Sequence, residues 1–136
     1  MIKTRLTKIN DFEAVYNLLK AGDMLLINFN EDKFSQMLKR NKGSYFVAVD
    51  KRKVIGSIFA SYDGGNYVYV NKLIVDKVYR NKGIASKLIQ EVLNKFNDNK
   101  DIWVFCHIKE DNQASIKTFQ KMGFKKREEH RLFDNA

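Results

Sequence analysis

Residues 75–90 read VDKVYRNKGIASKLIQ. Arg80 is followed three residues later by Gly83 and two further on by Ala85, and a long helical pattern starts on top of them. A helix that begins there presents backbone N–H groups with no intrahelical partner and the positive end of its dipole. Gly83 and Ala85 have little or no side chain to cover those groups, Arg80 and Lys82 add positive charge, and Ser86 adds a hydroxyl. Such a turn suits an anion, above all a pyrophosphate. A single glycine among basic residues is also what a loose, solvated turn looks like. The surroundings therefore have to separate the two.

Downstream, Ile84, Leu88, Ile89, Val92, Leu93 and Phe96 recur at helical spacing and make one amphipathic helix over residues 82–96. Upstream, residues 67–75 read as a strand with a flaw in its alternation. Val68 and Val70 keep step, Asn71 and Lys72 are both polar, and Leu73, Ile74 and Val75 are all apolar. A β-bulge near residues 71–72 repairs the pattern and bends the strand. After the helix, DIWVFCHI reads as a buried strand. Strand, crossover helix and strand imply a parallel pair with a right-handed connection.

The rest of the chain reads outward from that unit. IKTRLTKI is a first strand, and Asp11 is placed to cap a helix whose face is Phe12, Val15, Leu18 and Leu19, with Gly22 closing it. A second helix covers residues 31–40 with Phe34, Met37 and Leu38. SYFVAVD and KVIGSIFASY flank the charged turn 50–53 and predict an antiparallel hairpin, and 63–66 is a further turn. NQASIKTFQKMGF is a last helix carrying Ile116, Phe119 and Met122 and ending on Gly123, and FKKREEHRLF is a candidate final strand. The order β-α-α-β-β-β-α-β-α-β predicts a mixed α/β domain over residues 1–136, mostly antiparallel, with no repeat, linker or low-complexity segment.

Composition sets the limits. The 136 residues suit one domain with a real core. No apolar run approaches the ~20 residues that span a bilayer, and MIKTRLTKIN lacks the apolar region of a secretory signal. Cys106 is the single cysteine, which fits the reducing cytoplasm, and with His107 beside it and His130 distant there is no metal-ligand spacing. The net charge of +9 points to an anionic partner. The basic residues are mostly lysines, scattered without interleaved aromatics, which argues against nucleic acid and leaves compositional bias as part of the cause.

Two segments together resemble the GCN5-related N-acetyltransferases. The family's central motif, a hydrophobic strand followed by Arg/Gln-x-x-Gly-x-Gly/Ala, reads here as Leu73-Ile74-Val75 and then Arg80-Asn81-Lys82-Gly83-Ile84-Ala85. A second, Asn-x-x-Ala/Ser-x-x-x-Tyr-x-Lys-x-Gly-Phe, is matched by Asn112, Ser115, Lys121, Gly123 and Phe124. The resemblance implies a splayed pair of parallel strands, residues 67–75 and 102–107, flanked by helices. It implies acetyl-CoA as cosubstrate, its pantetheine pairing with Leu73, Ile74 and Val75 and its pyrophosphate on Arg80, Asn81, Lys82, Gly83, Ile84, Ala85 and Ser86. Asn112, Ser115 and Phe119 would line the coenzyme's far side, and no metal takes part.

The family reaction is direct attack of an amine on the thioester. An amine of pKa near 10.4 is about 0.04% neutral at pH 7, so a base or a desolvating pocket matters. The resemblance suggests His107 as that base, since ribosomal-protein N-terminal acetyltransferases of the family carry a glutamate five residues before the motif asparagine. An ordinary histidine titrates near ~6.5, which suits the role. Tyr69, near a carboxylate of other relatives, is the alternative, and each residue has a plainer reading as a packing or strand-end side chain. The backbone N–H of Val75 is the expected oxyanion donor. Phe119 takes the slot where many relatives have a tyrosine acid; branches acting on amino sugars and other small amines carry Phe there. Only twelve residues follow Phe124, against the family's usual two strands, so the acceptor site is expected to be open or completed by a second subunit. The expected acceptor is a small amine such as an amino sugar; the alternatives are a protein amine or a non-catalytic acyl-CoA-binding domain.

Overall fold

A computed structural model describes residues 1–24, 28–97 and 101–127. The elements run β1 (Ile2–Leu6), α1 (Phe12–Ala21), α2 (Glu31–Arg40), β2 (Tyr45–Asp50), β3 (Lys53–Tyr62), β4 (Tyr67–Val75), α3 (Ile84–Phe96), β5 (Trp103–Phe105) and α4 (Gln113–Lys121), with short 3₁₀ turns at Ile9–Asp11 and Lys77–Tyr79. The strands form one sheet in the order β1-β2-β3-β4-β5. Every pair is antiparallel except β4 and β5, which are parallel across the α3 crossover.

Helices cover both faces of the sheet. On one, Ile84, Leu88, Ile89 and Val92 of α3 and Phe119 of α4 pack on Phe46, Ile58, Ala60, Val68 and Val70. On the other, Val15, Leu18 and Leu19 of α1 and Phe34 of α2 pack on Tyr45, Val47, Phe59 and Ile74. β2 and β3 are buried on both faces, which is why YFVAV shows no polar alternation. Burying each large apolar side chain contributes about 1.5–3 kcal/mol, and this double layer fixes the sheet against which the remaining loops are set.

The expected bulge is present. Ser57 faces Ile74 and Phe59 faces Asn71, so two steps along β3 match three along β4. Lys72 takes φ +55 to accommodate the extra residue. The parallel ladder is short: Tyr67 faces Trp103, Val68 faces Val104 and Tyr69 faces Phe105, and there it stops. β4 continues six residues further, to Val75, without β5 beside it. A bulged strand bends and twists away from its neighbour, which accounts for the separation.

Four local expectations need correction or limits. DIWVFCHI is not a buried strand over 102–107: only Trp103–Phe105 pairs, and Trp103 is 60% exposed because β5 is the edge among the described strands. Asp11 sits at the start of α1 but does not cap it. Its carboxylate accepts from Lys8 N–H at 2.7 Å and grips Arg5 at 2.8 and 3.0 Å, turning it toward β1. Gly22 ends α1 at φ −94, and the left-handed residue is Asp23 at φ +55. The requirement at Gly22 is space, since a Cβ there would come within 2.5 Å of Ile74 Cδ1. Residues 124–127 carry no regular structure, and the rest of the anticipated final strand lies outside the described residues.

Candidate functional site

The end of β4 has a free backbone edge. Asp76 N–H donates to Ile55 O at 2.8 Å, so residues 55 and 76 form a hydrogen-bonded antiparallel pair. Such pairs alternate with pairs whose N–H and C=O groups point the other way. Val75, opposite Gly56, is the next residue, and its N–H and C=O therefore face away from β3 into the gap that β5 leaves. Arg80 Nε donates to that Val75 carbonyl at 3.3 Å.

The turn that follows is braced from several sides. Asp76 Oδ1 accepts from Val78 N–H at 3.0 Å, and Asp76 also pairs with Lys53 at 3.8 Å. Tyr79 donates its hydroxyl to Asp50 Oδ2 at 2.7 Å, and that carboxylate raises the pKa of the phenol. The Lys82 ammonium lies 5.4 Å from the centre of the Tyr79 ring. Asn81 at φ +65 and Gly83 at φ +76 are both left-handed, and such residues in a turn help to direct backbone N–H groups to one side. They lead into the first turn of α3, where Ile84 is buried while Ala85 and Ser86 are half-exposed. A Cβ built on Gly83 meets no atom within 4 Å, so open space lies over the backbone. Arg80, Asn81, Lys82, Gly83, Ala85 and Ser86 thus border one accessible surface. The sequence did not reveal the tyrosine–aspartate brace or the left-handed Asn81.

The ladder places a second group of side chains on the α1–α2 face of the sheet. Tyr69 and Phe105 are opposite each other, with ring centres 5.2 Å apart. His107, exposed just past the end of the ladder, brings Nδ1 within 3.4 Å of the Tyr69 hydroxyl. The two candidate bases, 38 residues apart in sequence, are therefore neighbours. Cys106 points the other way, toward the α3 core, where burial pushes its thiol up to about 11 and leaves it no nucleophile at neutral pH.

The second motif begins with Asn112, whose Oδ1 accepts from Ser115 N–H at 3.2 Å and caps α4. Asn112 is exposed at the surface, close to the half-exposed Ser115. Phe119 is 5% exposed and meets Phe124 edge-on at 5.0 Å, so it belongs to the core.

One residue that sequence reasoning used only to mark the bulge acquires a distinctive setting. Lys72 is half-buried, its Nζ donates to Asn71 Oδ1 at 3.0 Å, and it lies 6.0 and 5.9 Å from the rings of Phe29 and Phe59. Burial pushes its pKa down. The only sequence signal was a charged residue inside an otherwise apolar strand.

The arrangement is that of an acyl-transfer protein: a parallel pair that parts, a free strand edge, and an anion-accepting helix start beyond it. Residues 12–124 match the pattern of the acetyltransferase (GNAT) family. The chain belongs to that family and is an acetyltransferase that draws on acetyl-CoA. An acetyltransferase from Pectobacterium atrosepticum is 28% identical over 126 residues, covering 90% of this chain and 87% of that protein. A probable acetyltransferase of unknown function from Staphylococcus aureus superposes with a TM-score of 0.81 over the whole of both chains at 18% identity. Naa50 from Arabidopsis thaliana, solved with the bisubstrate analogue CoA-Ac-MVNAL, superposes with a TM-score of 0.77 at 19% identity, covering 93% of this chain and 85% of that one. Among the described residues no helix is long and apolar enough to cross a membrane, and no group of three or more His, Cys, Asp and Glu gathers as metal ligands.

Proposed function

We propose that the protein acetylates a small primary amine, such as an amino sugar, by direct attack of the amine on the thioester of acetyl-CoA. The observation that carries the acetyl-CoA part of this reading is the outward-facing backbone of Val75, followed by the open helix start at Gly83. The buried Phe119 in place of a tyrosine is what favours a small amine. Acetyl-CoA supplies an acyl group already activated as a thioester. Its pantetheine amides suit the free edge at residues 73–75, and its pyrophosphate suits the N–H groups of residues 80–86. Arg80 now holds the Val75 carbonyl, so binding exchanges that bond for one to phosphate. Asn112 and Ser115 then face the coenzyme from α4.

Strand geometry limits how the catalytic roles divide. Val75 lies six residues beyond Tyr69, about 17–20 Å along an extended strand, too far for both to act on one carbonyl. Val75 therefore holds the pantetheine, and the N–H that receives the developing negative charge belongs to the bulge end of the same edge, near Leu73. His107, held by Tyr69, accepts the amine's proton directly or through a water. The C–N bond forms, the C–S bond breaks, and the sulfur leaves as thiolate. Phe119 is buried and has no proton to give, but a thiol of pKa near ~8.5 leaves tolerably as its anion.

A second reading, a protein amine as acceptor, is favoured by the peptide portion of the analogue bound to Naa50. Thiol release measured with amino sugars, other small amines and peptides decides between the acceptors. Amine-dependent release is expected, fastest with a small amine. Faster release with peptides would install the second reading, and release unaffected by any amine would overturn both.

A further inference from the structure

We infer that Lys72 is an acceptor-recognition residue whose ammonium binds an anionic group, a carboxylate or a phosphate, carried by the amine substrate. The inference rests on the acetyl-transfer reading and names the substrate class for the same site.

Lys72 occupies an expensive position. It adopts φ +55, in the left-handed region that L-residues other than glycine, asparagine and aspartate rarely enter. Asn71 beside it is better suited to that conformation, yet the lysine takes it. The Lys72 side chain is half-buried between the rings of Phe29 and Phe59, at 6.0 and 5.9 Å. An ammonium has three donors, and its hydrogen bond among the described residues goes to the neutral Asn71 Oδ1 at 3.0 Å. Arg5 is paired with Asp11 and Lys53 with Asp76, whereas Lys72 makes no ion pair among the described residues. Partly withdrawing a cation from water with no carboxylate beside it is unfavourable. Backbone strain at a residue whose charge has no anionic partner is a feature that concentrates where a ligand is bound.

Its location gives the ligand's identity. Lys72 shares the α1–α2 face of β4 with Tyr69, as its contact with Phe59 shows. It is three residues beyond Tyr69, about 10 Å along the strand, so two flexible side chains leave room for one small molecule between them. An amine held at His107 would then place an anionic group several bonds away against the Lys72 ammonium. A neutral amine leaves that cation unpaired. A cationic polyamine would add repulsion.

Matched acceptors test the inference. Glucosamine 6-phosphate and glucosamine differ in one phosphate; 4-aminobutyrate and 4-aminobutanamide differ in one carboxylate. Their binding is measured by calorimetry to the full chain saturated with CoA, so the result does not depend on turnover. At least one charged member is expected to bind tenfold or more tighter than its neutral counterpart, and the pair that discriminates tells phosphate from carboxylate. Lys72→Gln should bring the charged member to the affinity of the neutral one, Lys72→Arg should retain the preference, and both variants should keep the parent's acetyl-CoA affinity. Lys72→Gly, which relieves the left-handed strain, replaces Lys72→Gln if the latter does not fold. Equal affinities within both pairs, no binding of either charged member, or an undiminished preference without the lysine would each overturn the inference. If the preference depends on Lys72 but no amine releases thiol, the anion site holds and the transfer reading fails.

Discussion

Gly83 offers a direct test of the anion cradle because strain and steric blockage can be measured separately there. In Gly83→Val a branched side chain enters at φ +76. An L-residue in this left-handed region costs about 1–2 kcal/mol, and a β-branched one falls at the upper end. With an unfolding entropy near 2.1 cal/mol/K per residue, this chain should lose about 3–4 °C in Tm per kcal/mol, so about 7 °C in all. No atom lies within 4 Å of the new Cβ, so no packing clash adds to this in the free protein. The side chain fills the space over the helix start instead. Charge-assisted hydrogen bonds contribute roughly 1.5–3 kcal/mol each, so losing even one from the pyrophosphate lowers affinity about tenfold to about 150-fold. Gly64, at φ +83 with the same open surroundings, lies in the β3–β4 turn far from the cradle. Gly64→Val therefore carries the same strain without the blockage. Urea denaturation should show similar destabilisation of both variants, and calorimetry with acetyl-CoA should show weakened binding only in Gly83→Val. Unchanged affinity in a folded Gly83→Val protein, or an equal loss in Gly64→Val, would refute the cradle.

Three further outcomes are expected. His107→Gln and Tyr69→Phe should each lower amine-dependent turnover at pH 7, with part of the His107→Gln loss recovered at high pH, where more amine is already neutral; an unaltered pH–rate profile removes His107 from the proton path. Phe119→Tyr should raise turnover at most tenfold and lower Tm by a few degrees, since a hydroxyl buried without a partner costs about 1–3 kcal/mol; a silent parent made active by that hydroxyl contradicts a leaving thiolate without acid help. Burial alone would raise the pKa of Asp11, but Arg5 and Lys8 N–H outweigh it and hold the carboxyl below its usual range. That stabilisation is present above the unfolded value of about 3.9 and disappears as pH falls through the lower folded value. Asp11→Asn should thus destabilise by about 2 kcal/mol at pH 7, a figure kept low by Arg5's exposure, and by progressively less below pH ~4; a pH-independent deficit in urea denaturation rules out the ion pair as its source.

What the sequence determined by itself is the part of the molecule written in local periodicity. The stripe from Ile84 to Phe96 could only be an amphipathic helix, and the broken alternation at Asn71 and Lys72 already required an extra residue in β4. Arg80, Gly83 and Ala85 sit within one turn of each other, so the cradle was legible without tertiary contacts. Folding decided everything that depends on which strands meet and in what register. The approach of His107 to Tyr69 exists because the α3 crossover sets Tyr69 opposite Phe105. Asp11 abandons its helix because β1 brings Arg5 within 3 Å, and a charged partner outweighs a capping N–H. β5 shortens because β4 bends away at its bulge, and Phe119 is buried because α4 lies against α3. Lys72 makes the difference plain. Its charge and its place in the bulge were visible in the sequence, but its desolvation arises only when Phe29 and Phe59, from two other segments, close around it.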